Sequence, residues 1–322
     1  MSPLRHHTVD AGGTRLHVVE QGEGPLVVLV HGFPESWYSW RHQLPALAAA
    51  GYRAVAFDVR GYGRSSKPPR IEDYRMLALV ADTVNLVGAL GETAATIVGH
   101  DWGSPIASTS ALLRPDLFTR LGLLSVPYSA PGGRRPTEAF AAMGGEEEFY
   151  INYFQEPGRA EREIEADVRS WLHGFYLGAS GAPPPSPSGG SLATVPVGGR
   201  LRDRFGTELG YPDWLSAEDL DVYTAEFERS GFTGPLNRYR NVDRDWEDLA
   251  PLARRPVTVP TVFIGGQFDG PTLWGAGAIS RFDRTLPALW GSHILEGCGH
   301  WCQQERAEQV NELLVTFLAE TA

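Results

Sequence analysis

With 322 residues the chain can hold one large domain or two, and a composition of 42% hydrophobic and 21% charged residues excludes a disordered or collagen-like polymer. Lys and Arg number 28 against 39 Asp and Glu, a net charge of −11 whose field repels phosphate backbones and anionic lipid, so neither nucleic acid nor membrane is an expected partner. No apolar run reaches the ~18 residues of a membrane span, Met1 to Gly13 lacks the apolar stretch of a signal peptide, and two cysteines make no disulfide framework, so a cytoplasmic protein is expected.

Short β-branched runs alternate with amphipathic stretches from Thr14 to Leu124 and again from Pro260 onward, the pattern of βαβ units in a mostly parallel sheet. Leu26 to Val30 reads as a buried strand leading into His31-Gly32-Phe33-Pro34. Ala54 to Phe57 reads as another, followed by Asp58 to Ser65 (DVRGYGRS), a turn-rich scaffold segment. Leu77, Val80, Ala81, Val84 and Val87 follow helical spacing and predict a helix with that face on the core. Thr96 to Val98 is the next strand, then Gly99-His100-Asp101-Trp102-Gly103-Ser104, a helical run from about Pro105, and a strand from Leu121 to Val126.

From Tyr128 to Leu252 strand alternation stops and aromatic-rich helical segments take over, which predicts a helical domain inserted into the α/β domain. Ile164, Val168, Trp171, Leu172 and Phe175 fall on a single helical face. Ser216-Ala-Glu-Asp219 is a capping box opening a stripe of Leu220, Tyr223 and Phe227. Gly178 to Ser191 (GASGAPPPSPSGGS) holds only Gly, Ala, Ser and Pro, so a flexible loop near 178–200 is expected, either a linker or a flap at a substrate entrance. The expected division is a core of residues 1–127 and 253–322 around a cap of residues 128–252. The sheet resumes with Thr261 to Ile264, Asp269 lies just past that strand, Gly297-Cys298-Gly299-His300-Trp301 follows, and Val310, Leu313, Leu314 and Phe317 mark a closing helix.

The hexapeptide at 99–104 has the small-x-nucleophile-x-small form of a nucleophile elbow, with Asp101 in the nucleophile position. Its glycines suit a turn that brings neighbouring backbone close. A carboxylate needs no base to become a nucleophile at pH 7 and can attack a saturated carbon. An N-cap Asp on an ordinary βα turn is the alternative for Asp101 alone. The order nucleophile, acid, histidine at 101, 269 and 300 matches what the elbow predicts: Asp269 orients the imidazole and His300 is the base. The backbone amides of Phe33 and Trp102 are placed to form an oxyanion hole, with His31, Gly32 and Pro34 completing the motif beside the pocket. Cys298, His300 and Cys302 lack a fourth ligand, so no metal is expected.

These motifs resemble those of the soluble epoxide hydrolases of the α/β-hydrolase superfamily, in particular the bacterial members with a helical cap. The resemblance covers nearly the whole chain and rests on 31–34, 58–65, 99–103, Asp269 and 299–301. It implies an α/β-hydrolase fold and an enzyme without cofactor that opens an epoxide. Asp101 would form a covalent ester, and His300 and Asp269 would activate the water that hydrolyses it. The family also carries two cap tyrosines that act as acids on the ring oxygen. In Glu148-Phe-Tyr-Ile-Asn-Tyr-Phe-Gln-Glu-Pro157 the match is Tyr150, with Tyr153 close by, and in Leu236-Asn-Arg-Tyr-Arg-Asn241 it is Tyr239. A phenol with a pKa near ~10 stays protonated at neutral pH and can donate to a developing alkoxide.

Haloalkane dehalogenation is the alternative reading, since it uses the same triad and the same Asp-Trp pair. It usually has Asn or Glu where Phe33 stands, and it has no use for two cap acids. A dehalogenase acting on carbon–fluorine bonds would need arginine where Trp102 stands. A non-catalytic binder on a hydrolase scaffold would have lost part of this set. An apolar epoxide and water are the expected substrates, detoxification or biosynthesis the expected role, and a homodimer is compatible with the sequence.

Overall fold

The computed structural model describes residues 3–186, 188–206 and 209–321. Eight of its strands form one sheet: β1 (Arg5–Ala11), β2 (Thr14–Gln21), β3 (Leu26–Val30), β4 (Arg53–Phe57), β5 (Ala95–His100), β6 (Phe118–Leu124), and then, after a two-stranded pair β7 (Glu148–Phe149) and β8 (Thr194–Val195), β9 (Thr261–Gly266) and β10 (Leu289–Leu295). The spatial order is β1-β2-β4-β3-β5-β6-β9-β10. β2 runs antiparallel to β1 and β4, and every other pairing in this sheet is parallel. β3, β5 and β9 are buried along their whole length, as parallel strands covered on both faces must be.

Alternate residues of each central strand feed two cores. Val28, Val30, Val55, Ile97, Leu121 and Phe263 pack with helices 76–89 and 103–113. Val27, Leu29, Ala56, Val98, Val262 and Ile264 pack with Leu44 and Leu47 on one side and Val310, Leu314 and Phe317 of the C-terminal helix 307–320 on the other. β1, β2 and β10 were the strands of this sheet not named from the sequence pattern. β1 and β10 are edge strands with exposed polar positions, so neither reads as a buried run.

Two helical expectations need correction. Helix 76–89 buries Met76, Leu79, Val80, Thr83, Leu86 and Val87, while Leu77 is 42% exposed and Ala81 also faces solvent. Nearly every position in this run is apolar, so two stripes one residue apart fit the same period. The choice is made by Asp82, which turns inward to meet Arg60 at 2.8 Å. In the insertion, Ile164 ends one helix (Arg159–Ile164) and the other four residues of the predicted face belong to the next (Val168–Gly178). Asp167 starts the second by accepting from the Ser170 amide at 3.1 Å. All five apolar residues are buried nonetheless.

The segment between β6 and β9 carries helices together with the short β7–β8 pair, a strand pair that the sequence pattern did not show. Its capping box at Ser216 forms as expected, with Asp219 Oδ2 accepting from the Ser216 amide at 2.9 Å and Ser216 Oγ from the Asp219 amide at 3.1 Å. Residues 179–193 carry neither helix nor strand among the described residues, and Pro187 of the Gly/Pro/Ser run lies outside them. No helix among the described residues is long and apolar enough to cross a membrane.

Candidate active site

Sheet register brings the motifs together. Val30 pairs with Gly99, so the chain leaving β3 at His31 runs beside the chain leaving β5 at Asp101. His100 pairs with Leu124 and Leu124 with Ile264, which brings Ser125 and the Asp269 loop to the same end of the sheet. The elbow itself is tight. A Cβ at Gly99 would strike the Gly103 carbonyl, one at Gly103 the Val30 carbonyl, and one at Gly32 the Asp101 carboxylate. Asp101 takes φ +50, a left-handed conformation that lifts its side chain clear of the turn.

The Asp101 carboxylate is 7% exposed. Its Oδ1 accepts from the Phe33 amide at 2.8 Å, and the neighbouring Trp102 amide also favours its charged form. Its Oδ2 lies 3.6 Å from His300 Nε2. His300 Nδ1 donates to Asp269 Oδ1 at 2.8 Å, with Ser125 Oγ 3.0 Å from the same nitrogen. Asp269 is fully buried, and its other oxygen accepts from the Thr272 hydroxyl at 2.6 Å.

Burial raises the Asp101 carboxyl above its usual range, against the pull of His300, His100 and the two amides. For His300 burial works against the charged form, yet the charge and hydrogen bond of Asp269, followed by Asp101, push it up to about 9. Asp269 shows the reverse: burial opposes its charge, and His300, Thr272 and Ser125 hold it below the usual carboxylate range. The resting site is therefore an imidazolium between two carboxylates.

A cavity of about 430 Å³ opens over this triad, lined by Phe33, Asp101, Tyr150, Phe175, Tyr239 and His300 among others. The Tyr150 and Tyr239 rings meet edge to face with centroids 6.1 Å apart. Burial, then Asp101 and Asp269, raise the Tyr150 phenol above its ordinary value, and burial followed by Tyr150 and Asp101 does the same for Tyr239. Both phenols are therefore kept protonated, and both line the cavity that Asp101 lines. Tyr153 is elsewhere: its hydroxyl donates to Glu163 Oε2 at 2.5 Å, and it is not among the cavity's lining residues. His31, Gly32 and Pro34 are not among the cavity's lining residues either. His31 donates from Nδ1 to the Gly32 carbonyl at 2.9 Å and accepts from the Val59 amide at 3.0 Å, which makes it a brace for the loop.

Comparison with known proteins agrees with this geometry. The alpha/beta hydrolase fold family matches residues 25–307. Epoxide hydrolase B of Mycobacterium tuberculosis (strain ATCC 25618 / H37Rv) is 44% identical over 347 residues, covering 97% of this chain and 98% of that one. Epoxide hydrolase A of the same organism is 44% identical over 315 residues, 96% of each chain. The chain belongs to the epoxide hydrolases of the α/β-hydrolase fold. Among solved structures, an epoxide hydrolase from an endophytic Streptomyces superposes with a TM-score of 0.95 at 63% identity, covering 98% of this chain and 95% of that one.

The epoxide hydrolase site has a further layer that sequence reasoning missed. Glu35, directly after the His-Gly-Phe-Pro motif, is fully buried and accepts from the Gly32 amide at 2.8 Å, from His100 Nδ1 at 2.7 Å and from Gln303 Nε2 at 2.8 Å. His100 Nε2 meets the His300 carbonyl at 2.8 Å. Burial pushes Glu35 up, but the His100 charge and hydrogen bond outweigh it and hold the carboxyl at about 2. The only sequence signal was position, since Glu35 touches one motif and His100 lies inside another.

Proposed function

We propose that the protein hydrolyses an apolar epoxide to a vicinal diol through a covalent ester on Asp101. The observation that carries this reading is a single cavity lined by both the Asp101 carboxylate, backed by His300 and Asp269, and two protonated tyrosines. Asp101 Oδ2 attacks a ring carbon while the ring carbon–oxygen bond breaks. The electron pair goes to the ring oxygen, which takes a proton from Tyr150 or Tyr239. Tyr150 is the first of these acids, and Tyr153, paired with Glu163, is not. The tyrosine recovers its proton from the His300 imidazolium, which leaves His300 neutral.

With Oδ2 esterified, Oδ1 remains against the Phe33 amide as the carbonyl oxygen, with the Trp102 amide as its second donor in this reading. His300 then takes a proton from water, the hydroxide attacks the Asp101 carboxyl carbon, and the negative charge forms on Oδ1 in that amide pair. Collapse breaks the bond to the alkyl oxygen, which takes the remaining proton and leaves as the diol. Residues 128–252 act as the cap that supplies the tyrosines, and the apolar lining excludes charged substrates.

A single turnover of styrene oxide by excess enzyme in ¹⁸O-labelled water tests this. Unlabelled diol in the first turnover, with label in the peptide containing Asp101, is expected. His300→Gln should accumulate that peptide at the mass of its epoxide adduct. Immediate labelling of the diol without an adduct would remove Asp101 as nucleophile, and bromide release from 1-bromobutane without diol formation would favour dehalogenation.

A further inference from the structure

Three large apolar side chains stand in water at the cavity's rim: Phe268, Leu273 and Trp274 are 54%, 57% and 44% exposed, and all three line the same cavity as Asp101. They bracket Asp269, which is fully buried, so one short segment turns its acid inward and its apolar groups outward. Its helix, Gly270–Trp274, is started by the Asp269 side chain accepting from the Thr272 amide at 3.3 Å, so the positions of the three side chains follow from that of the triad acid. Trp274 packs edge to face on Phe149 with centroids 5.2 Å apart, next to Tyr150. Facing them across the cavity lining are Pro183, Pro184 and Leu192.

Charge at this rim is already spoken for. Arg204 is the lining side chain outside the triad that carries a charge, and it is bound to Glu147, to the Thr194 carbonyl at 3.0 Å and to the Gly189 carbonyl at 2.7 Å. Exposed apolar area continuous with a catalytic cavity marks a surface that a ligand covers.

We propose that Phe268, Leu273 and Trp274 form a shelf that receives the far end of a long, uncharged alkyl or arylalkyl substituent. The substrate class is then epoxides with an extended neutral apolar tail. This rests on the epoxide-hydrolysis reading and adds which epoxides are preferred. Continuity with the cavity selects this occupant over a second copy of the chain or a lipid surface.

The test is kcat/KM for 1,2-epoxybutane, 1,2-epoxyoctane and 1,2-epoxydodecane, held below their micelle-forming concentrations, together with a twelve-carbon epoxide ending in a carboxylate. For the unmodified protein kcat/KM should rise with chain length, since each methylene covered contributes up to about fourfold. The carboxylate should cancel most of that rise. In Leu273→Ser and Trp274→Ser, studied separately, the ratio of dodecane to butane epoxide should fall about tenfold. A ratio is unaffected by any loss of folded enzyme. A flat series, an unchanged ratio in both variants, or a rate that depends on enzyme concentration or on added phosphatidylcholine vesicles would overturn the shelf. If none of the four epoxides yields a diol, the epoxide reading itself falls and takes the shelf with it.

Discussion

Asp101 occupies a backbone conformation that costs a residue bearing a side chain about 1–3 kcal/mol, and such a cost persists only where the surroundings fix it. Here they do, because the neighbouring glycines allow the Val30 and Gly103 carbonyls to close around the turn. The two tyrosines complete the residue-scale picture. Tyr150→Phe and Tyr239→Phe should each slow formation of the ester about 100-fold or more, the usual contribution of a positioned general acid, as followed by rapid quench. Tyr153→Phe removes a buried hydrogen bond to Glu163 and should lower stability by about 1 kcal/mol with ester formation changed less than threefold. Equal losses at 150 and 153 would contradict the assignment. Asp101, Asp269 and His300 were legible because Asp101 and Asp269 each follow a strand and His300 follows a glycine pair just before the closing helix, all local signals. Glu35, His100 and Ser125 were not, since their meaning comes from partners 65, 200 and 175 residues away in sequence.

Among the elements, the loop bearing His300 is set from the side of the helical segment. The His300 amide donates to the Ala179 carbonyl at 2.8 Å. Glu305, closing the short helix Cys302–Glu305, accepts from the amides of Gly181, Gly299 and Trp301 at 2.8, 3.0 and 3.1 Å. One carboxylate thus joins the base loop to the start of the Gly/Pro/Ser run. Glu305→Ala should slow hydrolysis of the ester about tenfold while ester formation changes less, because only the second step needs His300 aimed at a water. A pre-steady-state burst should therefore grow relative to the steady rate, and a variant that lowers both steps equally would point to a purely structural role. Helix 76–89 shows where sequence periodicity stops being informative. When a run is apolar all round, the inward face is chosen by the one buried ion pair, Asp82 with Arg60, and that pair is not visible until both residues have been placed.

At the scale of the whole molecule, the helical segment is also fastened to residues 71–76 at the start of helix 76–89. Asn241 donates to the Ile71 carbonyl at 2.6 Å, Arg238 to the Tyr74 carbonyl at 2.9 Å, and Asp245 accepts from the Met76 amide at 2.7 Å. Stability should record the buried charges that hold this assembly. His300, with its folded value near 9 against an ordinary 6.5, stabilises fully below pH 6.5, and that contribution is lost as pH rises through about 9. Glu35, at about 2 against 4.5, stabilises above pH 4.5 and loses that contribution as pH falls through about 2. Both of these contributions are fully present between about pH 4.5 and 6.5, and the part of the melting temperature that His300 supplies should decline toward pH 9. His300→Gln should flatten the alkaline decline, and a melting temperature that climbs from pH 6.5 to 9 would contradict the resting imidazolium.

The elbow is specified by what is missing from it. Three positions without a Cβ make room for it: 99 and 103 let the backbone close, and 32 leaves space for the side chain at 101 itself. The glycines therefore fix where the group at 101 stands, while the chemistry of that group fixes what it can attack. A Cβ added at 99 or 103 is expected to open the turn, whereas a change at 101 is expected to be felt first in the reaction.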